Sequence, residues 1–549
     1  MSSDATQTTD ATATILDALG RVVDEVVARG AARTGKGRDI DAHQPQVERI
    51  AYLATEVEAA RCLDRYARDL AAGGRREPFL DDMTLAFAAE VASKAGAQLD
   101  AHLDAFGLAP GFLDETLAAP AVRQAVRAGV DDERLQAIGR HQLATRGVNN
   151  TPLDEIAGMA RDAVRQFAAT EVAPLAERIH RHDELIPDGL IRKMAELGYF
   201  GMAVPEEYGG GGMGNLVMIV TTEELSMASL AAAGSLITRP EILTKALIKG
   251  GTDAQKERWL PPIAAGEVMV GISVTEPDTG SDVASITCRA ESGERAGRAG
   301  WVINGAKAWC TFAGRADVLA LLARTDPDPK KGAKGLSLFI VPKPAFDGHT
   351  FEVRQEGGLL TGKADATPGY RGMHSYTLMF DNYFVPAENL VGEEGGKGKG
   401  FYLQMAGFAA GRLQTGGRAT GVAQAALQRT AEYASDRKQF ARPIGEFGLT
   451  QHKLGRMATH IAAARQLTYA AARAMDTDET VAIPAAMAKL FASDVAVWVT
   501  QEGQLLHGGW GYAEEFAISR YVVDAQVLPI FEGVKPILEL KVIGRQLLA

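Results

Sequence analysis

The sequence predicts an α+β chain in which helical segments flank one central β region, with an extra helical stretch at the N-terminus. Three observations predict it. Ala-, Leu- and Arg-rich runs with helical periodicity, such as LATEVEAARCLDRYARDLAA, occupy residues 15–150. From 269 to 387 the texture changes to short runs, GISVTE, GWVING, VLALLAR, GLSLFIVP and YTLMFDNYFVP, which read as strands between Gly, Asp and Pro turns. From about 395 to the end long amphipathic patterns return. A chain of 549 residues exceeds what one core serves. The expected divisions are a helical extension over 1–150, a helical domain over 151–268, a β domain over 269–387 and a second helical domain over 388–549.

The first residues, MSSDATQTTDATAT, are polar and lack an apolar h-region, so a frayed tail is expected rather than a signal peptide. Pro152, after Asn149-Asn150-Thr151, marks a linker and a helix start. The next helical stretch is interrupted by VPEEYGGGGMG at 204–214. An internal repeat joins the two ends of the chain. LATEVEAARCL at 53–63 matches MATHIAAARQL at 457–467, and FAAEVA at 87–92 matches FASDVA at 491–496 in the same register. The extension then reads as a partial copy of the C-terminal helices, without counterparts of Gly508-Gly509 or Glu532, and so as structural.

A net charge of −11 argues against a nucleic-acid surface. The three cysteines, Cys62, Cys288 and Cys310, show no metal-ligand spacing, so no metal site and a reduced, cytoplasmic setting are expected. No uninterrupted apolar run reaches membrane-spanning length, and no membrane association is expected.

Several motifs carry chemistry. Ile530-Phe531-Glu532-Gly533-Val534 sets a carboxylate among apolar residues, where desolvation raises a carboxyl toward the range of a general base; glycine beside it permits close approach of a ligand. Val274-Thr275-Glu276-Pro277-Asp278-Thr279-Gly280-Ser281-Asp282 runs from a strand into a Pro/Gly turn that can line a phosphate or a flat polar ring edge, or is an ordinary β-turn. Trp309-Cys310-Thr311 offers a flat wall and a hydroxyl two residues on, or a buried strand tryptophan. Asp436-Arg437-Lys438-Gln439-Phe440 reads by default as a solvated helix face with a packing phenylalanine. His507-Gly508-Gly509-Trp510-Gly511-Tyr512 breaks two helices where backbone can approach a bulky ligand. That glycine-rich break is neither a Walker A nor a GxGxxG dinucleotide motif, and HExxH, CxxC and nucleophile-elbow motifs are absent from the sequence.

In order, these motifs together with VRQFAATEVAPLAERI, LGYFGMAVPEEYGG and TDAQKERWLPPIAAGE resemble the acyl-CoA dehydrogenase family over residues 153–549. The resemblance implies a helical N-terminal domain, a central β-barrel-like domain and a C-terminal four-helix bundle. It implies FAD as cofactor, an acyl-CoA thioester as substrate and electron-transfer flavoprotein as electron acceptor. Glu532 would take the α-proton while the flavin takes the β-hydrogen as hydride. Val274 and Thr275 would contact the flavin edge, Gly280 and Ser281 the pyrophosphate and the substrate pantetheine, and Trp309 and Thr311 the ring near N5. Arg437, Gln439, Phe440, Gly508 and Gly509 would bind the FAD of a neighbouring subunit, so a homo-oligomer, a dimer, is expected. Arg412 matches an arginine near the active site, and the Glu532–Gly533 backbone would help to stabilise enolate charge.

The sequence departs from the family pattern in places. Val534 replaces a threonine, Ala409 an aspartate, and Gly411 stands where some members carry the base. Gln504 is one residue off the usual glutamine, and the segment 359–374 is long. Arg239, in LITRPE, lies where the family lines its acyl pocket, with Lys245 a weaker second candidate. A buried cation there would suit the distal carboxylate of a short dicarboxylic acyl-CoA, and an ordinary salt-bridged helix arginine is the alternative. Other readings are a short- or branched-chain acyl-CoA dehydrogenase, an acyl-CoA oxidase, and a non-catalytic flavoprotein of the same fold.

Overall fold

The structure is a computed structural model describing residues 2–355, 357–477 and 482–549. Among its helices, in chain order, are α1 (Ser2–Arg33), α2 (Gln44–Ala72), α3 (Leu80–Asp100), α4 (Asp132–Ala144), α5 (Gly214–Ala228), α6 (Thr238–Gly250), α7 (Gly400–Asp436), α8 (Gly448–Thr477) and α9 (Ala482–His507). The strands are β1 (Val270–Ser273), β2 (Arg289–Arg295), β3 (Arg298–Thr311), β4 (Val318–Arg324), β5 (Leu336–Pro342), β6 (Thr350–Gln355), β7 (Gly358–Ala364) and β8 (Ser375–Pro386). They form two compact units, residues 1–153 with 415–549 and residues 154–414.

In the first unit the extension and the C-terminal helices share one core. The stretch expected to fray is part of α1 instead. Thr8 and Thr12 are buried there, and the Thr12 hydroxyl satisfies the Thr8 carbonyl one turn back at 2.9 Å. Packing against α2 and α3 outweighs the weak helix propensity of threonine. Helix α4 crosses α8 closely because both carry glycine at the crossing. A Cβ on Gly139 would lie 1.8 Å from the Gln451 carbonyl oxygen, and one on Gly455 would lie 1.9 Å from that of Leu135.

The repeated segments fold as two helix pairs, α2–α3 and α8–α9, packed on each other. Their contacts come in exchanged pairs. Phe87 meets its counterpart Phe491 with ring centroids 5.6 Å apart. Glu90 of α3 takes Arg456 of α8 (Nε–Oε2 3.0 Å), and its counterpart Asp494 of α9 takes Tyr52 of α2 (2.7 Å). Within each pair a cation lies over a ring, Lys94 over Tyr52 at 4.5 Å and Arg456 over Trp498 at 4.8 Å. Two helix pairs of matching sequence, packed on each other, thus exchange equivalent contacts.

Helix α9 has the length and hydropathy of a membrane span, yet 67% of its most apolar window is buried in the structure. It also carries Lys489 and Asp494, as a core helix can and a lipid-facing one rarely does.

The second unit holds helices and one curled eight-stranded sheet, ordered β1-β4-β2-β3-β8-β7-β6 with β5 on β4. β1 and β4 run parallel, and β3 pairs antiparallel with both β2 and β8. Ala296-Gly297, both at positive φ, make the two-residue turn between β2 and β3. Leu243 and Leu247 of α6 pack with Leu260, Val270, Val318 and Ile340 in one core that fixes α6 against the sheet.

Candidate functional site

In the second unit, β1 delivers Val274 and Thr275 to a turn closed by two hydrogen bonds between Glu276 and Thr279, of 2.9 and 3.1 Å. β3 holds this turn from beneath. The Ala308 amide donates to the Thr275 carbonyl at 2.8 Å, and Lys307 Nζ donates to the Val274 carbonyl at 2.8 Å. Glu276, buried below the turn, accepts from Lys307, from the Thr287 amide and hydroxyl, and from the Cys288 amide, all within 2.9 Å. Burial pulls its carboxyl upward, but Lys307 and the two amides hold it below the usual carboxylate value. Glu276 is therefore the anchor of the turn. Gly280 and Ser281 lie exposed on its outer side.

The Trp309 motif differs from a regular strand. The β3–β8 register shifts between Lys307 and Cys310, and Trp309 sits in that bulge at φ +57°, 60% exposed. Cys310 fills the core and Thr311 is buried with its hydroxyl 3.2 Å from Ser375 Oγ. The bulge leaves a broad aromatic face open beside the Thr275 turn, which a buried strand tryptophan would not.

Arg239 is 4% exposed on α6, and its Nε and Nη1 have no hydrogen-bond partner among the described residues. Its helix is pinned independently, since Glu241 accepts from Gln414 Nε2 at 2.7 Å. Arg412 is half-buried on α7.

In the first unit, Tyr433, Arg437, Gln439, Ile444, His507 and the Gly508-Gly509 break line one cleft of about 550 Å³. Residues 437–443 are not a helix face. α7 stops at Asp436, and Lys438-Gln439 pairs with Arg442-Pro443 across a two-residue turn, Phe440-Ala441, at φ +51° and +66°. Phe440 is thereby displayed at the tip, 89% exposed. Gly508 adopts φ +62°, ψ −138°, a region open to glycine, and a Cβ there would meet nothing within 4 Å. Gln504 Nε2 donates to the Gly511 carbonyl at 3.1 Å and closes the break. The His507 ring stacks on Tyr433 at 4.3 Å and donates from Nδ1 to the Gly503 carbonyl at 2.7 Å; burial pushes its pKa down. A guanidinium, an amide and flat aromatic walls around an open glycine suit the phosphates and rings of a dinucleotide.

Glu532 lies in a turn of the same unit, half-buried, at φ +55°, with Gly533 at +101°. A non-glycine residue held at positive φ is costly and persists where its surroundings over-determine it. Two side chains do so. Lys489 of α9, fully buried, donates to the Gly533 carbonyl at 2.7 Å, and the buried Arg418 guanidinium lies 4.7 Å from the Phe531 ring centroid.

Three family models match the chain in order: acyl-CoA dehydrogenase N-terminal domain over 154–267, middle domain over 271–383 and C-terminal domain over 398–548. A (2S)-methylsuccinyl-CoA dehydrogenase of Cereibacter sphaeroides is 40% identical over 515 residues, covering 91% of this chain and 90% of that protein. The chain belongs to the acyl-CoA dehydrogenase family. It is an FAD-dependent oxidoreductase acting on a CH–CH bond. The butyryl-CoA dehydrogenase structure from Megasphaera elsdenii aligns with TM-score 0.66 and 31% identity, over 73% of this chain and all of that one. A glutaryl-CoA dehydrogenase from Mycobacterium smegmatis, solved in complex with FADH2, aligns with TM-score 0.62 and 26% identity over 72% of this chain and 95% of that one. The Cereibacter relative matches more residues than lie outside the extension, so part of the extension is common to both.

Tyr433, Lys489 and Arg418 escaped sequence reasoning, and His507 entered it only as the first residue of the glycine-rich break. The one available signal was a lysine and an arginine inside strongly apolar helical runs, which must find partners when buried.

Proposed function

We propose that this enzyme oxidises (2S)-methylsuccinyl-CoA to mesaconyl-CoA. The observation that carries the substrate is Arg239, a buried guanidinium with Nε and Nη1 open among the described residues. Leaving two N–H groups of a buried guanidinium without acceptors costs about 1–3 kcal/mol each unless a ligand supplies them. The free carboxylate of a methylsuccinyl group supplies it, whereas a butyryl or isovaleryl group does not. The length-spanning likeness to the Cereibacter enzyme supports the same substrate.

Glu532 is assigned as the base that takes the α-proton of the thioester, and Gly533, with its carbonyl held by Lys489, fixes the turn. The Glu532 backbone amide and the polarised thioester share the developing enolate charge. Bound FAD supplies the acceptor for the β-hydrogen, which leaves as hydride, so that the C–C double bond forms as two C–H bonds break. Val274, Thr275, Trp309 and Thr311 frame the ring. Gly280 and Ser281 would meet the phosphate and pantetheine portions, and Arg412 would serve the reacting end. Arg437, Gln439, Phe440, Gly508 and Gly509 hold the dinucleotide of a second subunit, which makes a homodimer the working form. The exposed Phe440 and the 44%-exposed Trp510 give that contact its apolar surface. Electron-transfer flavoprotein is assigned as the acceptor.

The test mixes the yellow enzyme anaerobically with a panel of CoA thioesters and follows flavin absorbance. Methylsuccinyl-CoA is expected to bleach the flavin and give mesaconyl-CoA by mass spectrometry. Equal efficiency with butyryl- or isovaleryl-CoA would sink the carboxylate reading.

A further inference from the structure

The turn that carries Glu532 is fastened to α9 at two points, and the N-terminal extension touches the second. Lys489 holds the Gly533 carbonyl on one side. On the other, Lys535, the first residue of the short helix after the turn (Lys535–Ile537), binds Asp494 Oδ2 through Nζ at 2.6 Å. The same Oδ2 accepts the hydroxyl of Tyr52 at 2.7 Å, and Lys535 Nζ also lies 4.8 Å from the Tyr52 ring centroid. Tyr52 belongs to α2, 442 residues before Asp494. Burial and the neighbouring carboxylates push its phenol well above the usual value, so it stays protonated and donates. The exchanged partner of this contact, Glu90 with Arg456, is not tied to the Glu532 turn by any contact among the described residues. The two halves of the duplicated interface differ at this point. One contact only docks the extension, and the other docks it and reaches the turn.

We propose that the extension serves the reaction: Tyr52, acting through Asp494 and Lys535, is a positioning residue for Glu532. The inference rests on the reading of Glu532 as the base. The Tyr52 hydroxyl fixes Asp494, the carboxylate fixes Lys535, and Lys535 sets the backbone three residues after Glu532. A shift of that backbone moves the carboxylate off the α-carbon without removing any group that touches substrate or FAD.

The test uses the full-length holoenzyme. Tyr52→Phe removes one hydroxyl and keeps the ring under Lys535. The rate constant for flavin reduction in a single turnover should fall about three- to tenfold, the loss of roughly one hydrogen bond. Substrate dissociation constant and FAD content should stay as in the parent, and the exchange of the substrate α-hydrogen with D2O should slow in parallel. Lys535→Met should cost more, and Tyr52→Phe/Lys535→Met no more than Lys535→Met alone, because the two act in series. Glu90→Gln, which cuts the exchanged contact, should leave reduction unchanged. Parent-like reduction by Tyr52→Phe would overturn the proposal, and so would equal slowing by Tyr52→Phe and Glu90→Gln, which would reduce Tyr52 to a docking residue. The base reading fails separately, by undiminished reduction in Glu532→Gln, whatever Tyr52→Phe does.

Discussion

Replacing Glu276 by glutamine keeps the shape of the side chain and removes its charge. Oε2 of Glu276 accepts from the Thr287 amide at 2.7 Å and from the Thr287 hydroxyl at 2.9 Å. Oε1 accepts from the Cys288 amide at 2.8 Å and from Lys307 Nζ at 2.9 Å. Each oxygen faces two donors. A glutamine in either orientation therefore turns an NH2 group toward donors, and the Lys307 ammonium, fully buried, loses its counter-charge. Breaking one side of such a buried pair costs about 3–5 kcal/mol. The loss should appear as a lower denaturation midpoint of the apoprotein at unchanged m-value. Lys307 also holds the Val274 carbonyl and its neighbour Ala308 holds that of Thr275, so FAD, followed by its fluorescence on release, should dissociate more easily. Acid should mimic the substitution. The Glu276 carboxyl is held below its unfolded value, so its contribution is complete above that value and fades as pH falls through the folded one. A cost below about 1 kcal/mol, with parent-like FAD retention, would refute the assignment of Glu276 as the anchor of the Thr275 turn.

Glu532→Gln should retain FAD and lose bleaching by methylsuccinyl-CoA, with a fall of roughly 10²–10⁴ in the reduction rate expected of a lost general base; normal bleaching removes it from that role. Arg239→Ala should lower kcat/KM for methylsuccinyl-CoA about 10- to 100-fold, as for a lost charged hydrogen bond, with little change for a weak uncharged substrate; unchanged kcat/KM contradicts the carboxylate clamp. Burial raises the Glu539 carboxyl to about 7 against a usual 4.5, so the folded state keeps a proton that the unfolded state has lost. Stability is then greatest below 4.5 and declines as pH rises through about 7, by at most about 3 kcal/mol at roughly 1.4 kcal/mol per pH unit. Glu539→Gln should flatten that decline in pH-dependent thermal melts, and parallel melting curves for parent and variant would contradict it.

The order of helical and β segments was legible because periodicity reports it locally, and the Glu532-Gly533, Thr275 and Gly508-Gly509 motifs were legible because each is short and contiguous. What was not legible has a common physical origin in packing. Thr8 and Thr12 are polar in sequence, but tertiary contact makes their segment helical. Trp309 counted by strand alternation shares a face with Thr311, yet a single-residue bulge resets the count. The Phe440 segment read as helix because Arg-Lys-Gln favours helix, and two residues at positive φ made it a hairpin instead. Glu276 looked like one more turn residue, because nothing local shows the four donors that converge on it from β3 and from residues 287–288.

Helix α9 shows how far such hidden partners reach. Its mean hydropathy is that of a membrane span, and an average of that kind treats Lys489 and Asp494 as blemishes. Burial gives them the opposite meaning. A fully buried ammonium must find an acceptor, and Lys489 finds the carbonyl of Gly533. A half-buried carboxylate beside it must find donors, and Asp494 finds Lys535 and Tyr52. Both sets of partners bracket the turn in which Glu532 is held at positive φ. Strain at Glu532 is thus offset by two polar residues of an otherwise apolar helix, one of which draws its second partner from the N-terminal extension. The extension matches segments of α8 and α9 in sequence and has no counterpart of Gly508-Gly509 or Glu532. The contribution proposed for it passes through Tyr52, at the position where the matching helix α8 holds Arg456.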